Sequence, residues 1–277
     1  MRRRVVIKFG SGILTTPDRV DLDAGQFEGL VAAVAGIRRG GVQCVLVSSG
    51  AVAAGLPAFR LENRPADTAM LQACAAVGQT RLMHFYETLF RQHKLTVAQL
   101  LLTHEDLRED TRRRNFQNTL ERLLAFDDTV PIINENDSVS VEELRYGDND
   151  LLSADVAVIS GADCLVLLTT VDGLLPPGKT NGEDIVRTVE NIGEVQSYAL
   201  EEHGRFSVGG MQSKLRAVDR AVTAGIETFI ANGRRPEQLE AVLAGRGHAT
   251  RFVARAKAEP AYPALEIESV QKAETPL

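Results

Sequence analysis

The chain has 277 residues, 44% of them apolar and 25% charged, with a formal net charge of −6. This is globular composition with enough apolar side chains for a core, and it lacks the positive excess that neutralises nucleic-acid phosphates. No run approaches the roughly 18 apolar residues of a membrane helix, and Lys8 interrupts the first apolar stretch too early for a secretory signal. A cytoplasmic protein is expected, with neither nucleic acid nor membrane as partner.

In chain order, Arg2-Arg3-Arg4 reads as a solvated terminus leading into a strand over Arg4–Phe9, with a turn at Gly10-Ser11-Gly12. Apolar residues at Leu22, Phe27, Leu30, Val31, Val34 and Ile37 predict a helix to Arg39, stopped by Gly40-Gly41. Val42–Val47 is a β-branched strand followed by Ser48-Ser49-Gly50, and Asp67–Gln92 is helical. Leu95–Leu101 predicts a strand, Leu107–Ala125 a helix, and Val130–Ile133 a strand broken by Asn134-Glu135-Asn136-Asp137. Val139–Arg145 has the pattern of an exposed hairpin arm, closed by Gly147-Asp148-Asn149-Asp150 before a helix over Leu151–Ser160. Leu165–Thr169 is a strand, Gly173–Glu190 is turn-rich, and Ser213–Ala224 is a helix. Thr228–Ala231 and Ala249–Val253 are the last strands, before a Pro-containing surface tail from about Ala258.

Strands alternating with helices of this length predict an α/β fold with a mainly parallel sheet, and near-continuous Val/Ile/Leu strands fit burial on both faces. One α/β unit is expected. Cys44, Cys74 and Cys164 form no CxxC pair and read as buried free thiols, and five scattered histidines offer no metal-binding spacing.

In open α/β sheets ligands bind beyond the carboxyl ends of the strands. Four such ends carry small, polar or charged residues: Lys8–Gly12, Ser48–Ala51, Asn134–Asp137 and Thr169–Gly173. Lys8 stands inside an otherwise apolar strand, where a lysine either reaches solvent or meets an anion. Gly209-Gly210-Met211-Gln212-Ser213-Lys214 opens a helix with free backbone N–H groups and a point charge, so it reads as a phosphate cradle or a plain loop-to-helix junction. Neither GxxxxGK[ST] nor a strand followed by GxGxxG occurs. Asp148-Asn149-Asp150 reads as a helix cap or as functional carboxylates, and Asn134 to Asp137 offer more amides and acids than a turn needs.

Taken together, these stretches resemble the glutamate 5-kinases of the amino-acid kinase family. The likeness rests on VIKFGS from Val6, VSSGAVAAG from Val47, AAVGQ from Ala75, IINENDSV from Ile132 and GDNDLLSA from Gly147, with Gly209-Gly210-Met211 and Ser213-Lys214. It implies a three-layer α/β/α sandwich of the carbamate kinase-like type and transfer of the ATP γ-phosphoryl group to the γ-carboxylate of glutamate, with Mg²⁺, at the first step of proline biosynthesis. It further implies that Lys8 and Lys214 contact phosphates, that Asp150 orients them, and that Ser49, Asp137 and Asn149 bind glutamate beside Asn134. Thr169, Thr170, Val208, Gly209, Gly210, Met211, Gln212, Ser213 and Lys214 would line the nucleotide site.

The sequence departs from the family pattern at Thr169-Thr170 (usually Thr-Asp), at Ser207-Val208-Gly209-Gly210 (usually Gly-Thr-Gly-Gly), and at Leu175–Lys179, where Tyr-x-x-Asp-Pro-Arg is usual. All three fall on the nucleotide side. The resemblance also implies a homo-oligomer and proline as feedback inhibitor. The expected layout is a kinase domain over 1–257 and a tail over 258–277, with no C-terminal PUA domain. The alternatives are a kinase of the same fold acting on acetylglutamate or a nucleoside monophosphate, and a non-catalytic glutamate- or proline-binding regulator.

Overall fold

A computed structural model describes residues 2–18, 20–140, 149–179, 182–199 and 210–255. The strands are β1 Arg4–Phe9, β2 Gln43–Ser48, β3 Thr96–Leu102, β4 Thr129–Glu135, β5 Cys164–Thr169, β6 Thr188–Val189, β7 Glu227–Asn232 and β8 Ala249–Phe252. They form one sheet in the order β3-β4-β2-β1-β5-β7-β8-β6. The pairs from β3 to β7 are parallel, β8 runs antiparallel to β7, and the short β6 lies parallel to β8. Among the described residues the helices are α1 Ser11–Leu14, α2 Ala24–Arg39, α3 Ala51–Gly55, α4 Thr68–Gln92, α5 His104–Arg108, α6 Asp110–Leu124, α7 Asn149–Ile159, α8 Met211–Thr223 and α9 Leu239–Leu243.

Alternation along the strands divides the core into two layers. Val5, Ile7 and Phe9 of β1 point to the side packed by α2, α3, α4 and α9. Val6 points to the side packed by α6, α7 and α8. Lys8 has the parity of Val6, so its side chain is carried to the α7 and α8 face. That sandwich is the expected one, and all three cysteines are buried and free. No helix among the described residues is long and apolar enough to cross a membrane.

Several boundaries differ from the sequence expectation. Gly10–Gly12 is not a plain turn, because Gly10 caps the one-turn helix α1. The run expected as one helix over Leu107–Ala125 is broken at Glu109, whose carboxylate accepts the backbone N–H groups of Thr111 and Arg112 and so starts α6 anew. Strand β4 continues through Asn134 and Glu135, because both residues pair with β3. Arg4 is not simply solvated, since its guanidinium forks onto Glu121 at 2.6 and 2.9 Å. Helices α3 and α9 are additional to the elements the sequence pattern predicts. The hairpin arm falls mostly, and the tail from 258 wholly, outside the described residues.

A close crossing sets the geometry near the end of β2. An added Cβ at Gly78 of α4 would stand 1.8 Å from the Ala51 carbonyl oxygen, and one at Gly55 of α3 would stand 1.9 Å from that of Cys74. Only glycine lets the two backbones touch in this way. Gly50, at φ +100°, turns the chain from β2 into α3. Tyr86 of α4, fully buried, hydrogen-bonds Ser48 at 2.8 Å and so ties the end of β2 to the same helix.

Candidate active site

The chain leaves β1 for β2 on one side, and β5 adds on the other. The crevice at such a reversal of strand order is where open α/β sheets bind ligands. Lys8 lies there, at the carboxyl end of β1, and it is buried. Its Nζ sits 2.6 Å from Asp150 Oδ1, and Lys214 Nζ sits 3.2 Å from Asp150 Oδ2. Asp150 is in the first turn of α7 and Lys214 in the first turn of α8, so one buried carboxylate holds two ammonium groups from separate elements. Burial pushes the Asp150 carboxyl upward, but the charges of Lys8 and Lys214 outweigh it and hold the pKa below the usual aspartate value. Gly10 keeps the floor open: a Cβ there would come within 3.2 Å of the Leu168 carbonyl and 3.6 Å of Lys8 Nζ. Among the described residues no side chain caps helix α8 at Gly210, so its first N–H groups are left for another acceptor beside Lys214.

Next to this cluster is a chain of amides. Asn149 Nδ2 lies 2.9 Å from the Ser48 carbonyl, from Ser49 Oγ and from Asn134 Oδ1. Asn134 Oδ1 also accepts the backbone N–H of Glu135, and Asn134 Nδ2 donates to Gln79 Oε1 at 2.8 Å. These bonds fix which way each amide faces. Gln79, Asn136 and Asp137 then line a cleft of about 250 Å³, walled by Ala51, Ala75 and the end of β3. Glu135 lines this cleft too, and its carboxylate is 3.9 Å from His104 Nε2 and accepts the Ser140 hydroxyl.

The structure therefore joins Lys8, Asp150 and Lys214 directly, and joins Ser49, Asn134 and Asn149 through the Asn149 amide. Since Asn149 and Asp150 are consecutive, the two groups share the start of α7. Asp137 lies in the adjoining cleft. Thr169 and Thr170 stand on the same sheet edge, beside β1, but outside this hydrogen-bond network among the described residues. Gly210, Met211, Gln212 and Ser213 form the entry to α8. Val208 and Gly209 lie outside the described residues, as does Asp148.

Buried Lys8 excludes the reading of a lysine reaching solvent, and Asp150 pairs with lysines rather than only starting a helix. Sequence reasoning missed the individual parts of Gln79 and Tyr86. Gln79 directly follows Gly78 in a small-residue helix, a polar amide next to a close-approach glycine, and that signal was available.

Comparison with known proteins adds to this geometry. Residues 3–232 match the family described as "Amino acid kinase family". The chain is 44% identical to a glutamate 5-kinase from Myxococcus xanthus, over 90% of this chain and 66% of that protein. It is 43% identical to one from Symbiobacterium thermophilum, over 90% of this chain and 95% of that protein. The chain thus spans just under two thirds of one relative and nearly the whole of the other. Among solved structures, carbamate kinase from Giardia lamblia bound to AMP-PNP aligns with TM-score 0.63 at 16% identity, over 91% of this chain and 98% of that one. UMP kinase from Ureaplasma parvum aligns with TM-score 0.57 at 12% identity, over 91% and 100%. At such identities the structural likeness speaks to the fold alone.

Proposed function

The chain belongs to the amino-acid kinase family, and within it to the glutamate 5-kinases; from that premise we propose that it transfers the γ-phosphoryl group of ATP to the γ-carboxylate of L-glutamate. The product is γ-glutamyl phosphate, the activated acid that opens proline biosynthesis. The observation that carries the reading is the buried Lys8–Asp150–Lys214 cluster beside an amide-lined cleft.

A carboxylate is already a nucleophile at neutral pH, so the reaction needs no general base. Its oxygen attacks the γ-phosphorus, the bond to the β–γ bridging oxygen breaks, and ADP leaves. The barrier lies in aligning two anions and spreading the charge of the transferring group. Lys8 and Lys214 supply positive charge where that charge develops, and Asp150 holds both lysines in place before substrate arrives. The backbone N–H groups at the start of α8, with Gly210 to Ser213, take the nucleotide phosphates, and Val208, Gly209, Thr169 and Thr170 complete that side. The donor set here, two ammonium groups and uncapped N–H groups, fits phosphate oxygens; Mg²⁺ would enter on those oxygens and neutralise part of their charge.

Ser49 and Asn149 hold the acceptor against the lysine cluster, with Asn134 fixing the Asn149 amide. Asp137 takes the α-ammonium group in the cleft. Proline shares the α-carboxylate and amine of glutamate, so it competes for the same contacts and acts as feedback inhibitor. The kinase domain is read as 1–257, acting as a homo-oligomer. An acceptor panel of L-glutamate, N-acetyl-L-glutamate and UMP, followed by ADP release, tests the reading. ADP release with L-glutamate alone supports it. Release with either other acceptor assigns a different member of the fold, and no release with any acceptor leaves a binding protein.

A further inference from the structure

The amide chain has a direction. Gln79 spends its Oε1 on Asn134 Nδ2, at 2.8 Å. Asn134 then has its Oδ1 facing Asn149 Nδ2 and the Glu135 N–H, which locks its orientation. An Asn134 turned the other way would face donors with donors. Gln79 cannot turn either, since its own NH₂ would then meet that of Asn134. The Nε2 end of Gln79 is consequently fixed, and among the described residues this buried atom has no hydrogen-bond partner. A buried N–H left unmade costs about 1–3 kcal/mol, so this one, on a side chain that lines the cleft, marks a place for an acceptor. The cleft that Gln79 lines also holds Asp137.

We infer that Gln79 is a substrate-binding residue whose Nε2 donates a hydrogen bond to the α-carboxylate of the amino-acid acceptor. This rests on the proposed glutamate reading and deepens it. The γ-carboxylate must reach the phosphoryl group near Lys8, Asp150 and Lys214. Gln79 stands two amides away from that point, past Asn149 and Asn134, on the side of Asp137. The amino-acid head belongs there, its ammonium group toward the Asp137 carboxylate and its carboxylate toward a donor. Gln79 thereby recognises the head group and, through Oε1, orients the amides that face the reacting end.

Two variants separate these roles. Gln79→Glu keeps an acceptor for Asn134 Nδ2 but replaces the donor with a negative charge. Gln79→Ala removes both. Each variant is assayed for the KM of L-glutamate, of glutamate α-amide (which keeps the γ-carboxylate and the α-ammonium but has a neutral carboxamide for the α-carboxylate) and of ATP, with the ATP value reporting an intact fold. A hydrogen bond to a charged group is worth roughly tenfold or more in affinity. The inference expects Gln79→Glu to raise the glutamate KM at least as far as Gln79→Ala does, about tenfold or more, with the ATP KM unmoved. It also expects Gln79→Glu to erode the preference for glutamate over its α-amide. Near wild-type glutamate KM in Gln79→Glu alongside an impaired Gln79→Ala would reduce Gln79 to positioning Asn134 and overturn the inference. Wild-type behaviour in both variants, or an unchanged preference against the α-amide, would overturn it as well. Absence of glutamate phosphorylation in the unaltered protein would be seen before any variant is made; it would refute the substrate reading and this inference with it.

Discussion

Lys8 Nζ lies 2.6 Å from Asp150 Oδ1, both side chains buried, and the other oxygen of the same carboxylate holds Lys214 at 3.2 Å. One acid thus serves two bases, and the three substitutions are not equivalent. Asp150→Ala removes the shared carboxylate from two buried ammonium groups and is expected to destabilise the fold by about 3–5 kcal/mol. Lys8→Ala leaves the Lys214–Asp150 pair in place and is expected to cost less. Urea unfolding of both variants checks the order, and a larger loss for Lys8→Ala would contradict it.

The same cluster gives stability a definite pH dependence. Burial raises the Asp150 carboxyl, the two lysines lower it further, and the folded pKa stands below its usual value. A lowered pKa contributes its stability in full above the unfolded value of about 3.9, loses it as pH falls below that, and contributes nothing under the folded pKa. The stability difference between the wild type and Asp150→Asn is therefore expected to be level from about pH 6 to 8 and to shrink as pH is lowered from about 5 to 3. Denaturation curves across that range read it directly, and a difference that grows toward acid would refute the assignment.

Asp137 shares the cleft with Gln79 and lies apart from the lysine cluster. Asp137→Ala is expected to raise the KM of glutamate by about tenfold or more, the worth of a charge-assisted contact, and to change that of ATP little. A two-substrate kinetic matrix separates the two, and equal shifts would contradict the placement.

Gly78 tests the scaffold instead of the chemistry. A methyl group there collides with the Ala51 carbonyl, and α3 must move away from α4. Gly78→Ala is expected to lose about 1–3 kcal/mol or more. Its glutamate KM is expected to rise as well, because Ser49 and Gly50 lead directly into α3. Unfolding and kinetics on the same preparation check both, and an unaffected variant would mean that the crossing is looser than described.

Much of this was legible in the sequence because it is local. A lysine within an apolar strand, a glycine after it, and polar residues at four strand ends all announce themselves within a few positions. Period-2 alternation even assigns Lys8 to one face. The pairing with Asp150 and Lys214 is not readable that way, since 142 and 206 positions separate them along the chain from Lys8; the motif resemblance supplied it. The contact of Gly55 with Cys74 and of Gly78 with Ala51 was invisible for the same reason. The break at Glu109 is local but masked by pattern: apolar spacing continues across it, while a side-chain cap restarts the helix. Helix α9 has five residues, too few for a periodic signal.

The central claim is that a glutamate carboxylate receives phosphate beside Lys8. Hydroxylamine traps an acyl phosphate as a hydroxamate, so the most direct measurement is γ-glutamyl hydroxamate formed from L-glutamate, ATP and Mg²⁺, with ADP counted alongside. The account predicts hydroxamate and ADP in equal amounts from the wild type, and a rate lower by about a hundredfold or more in Lys8→Ala, the scale of losing one preorganised charge at a transition state. ADP without hydroxamate, or a Lys8→Ala rate equal to wild type, would contradict it.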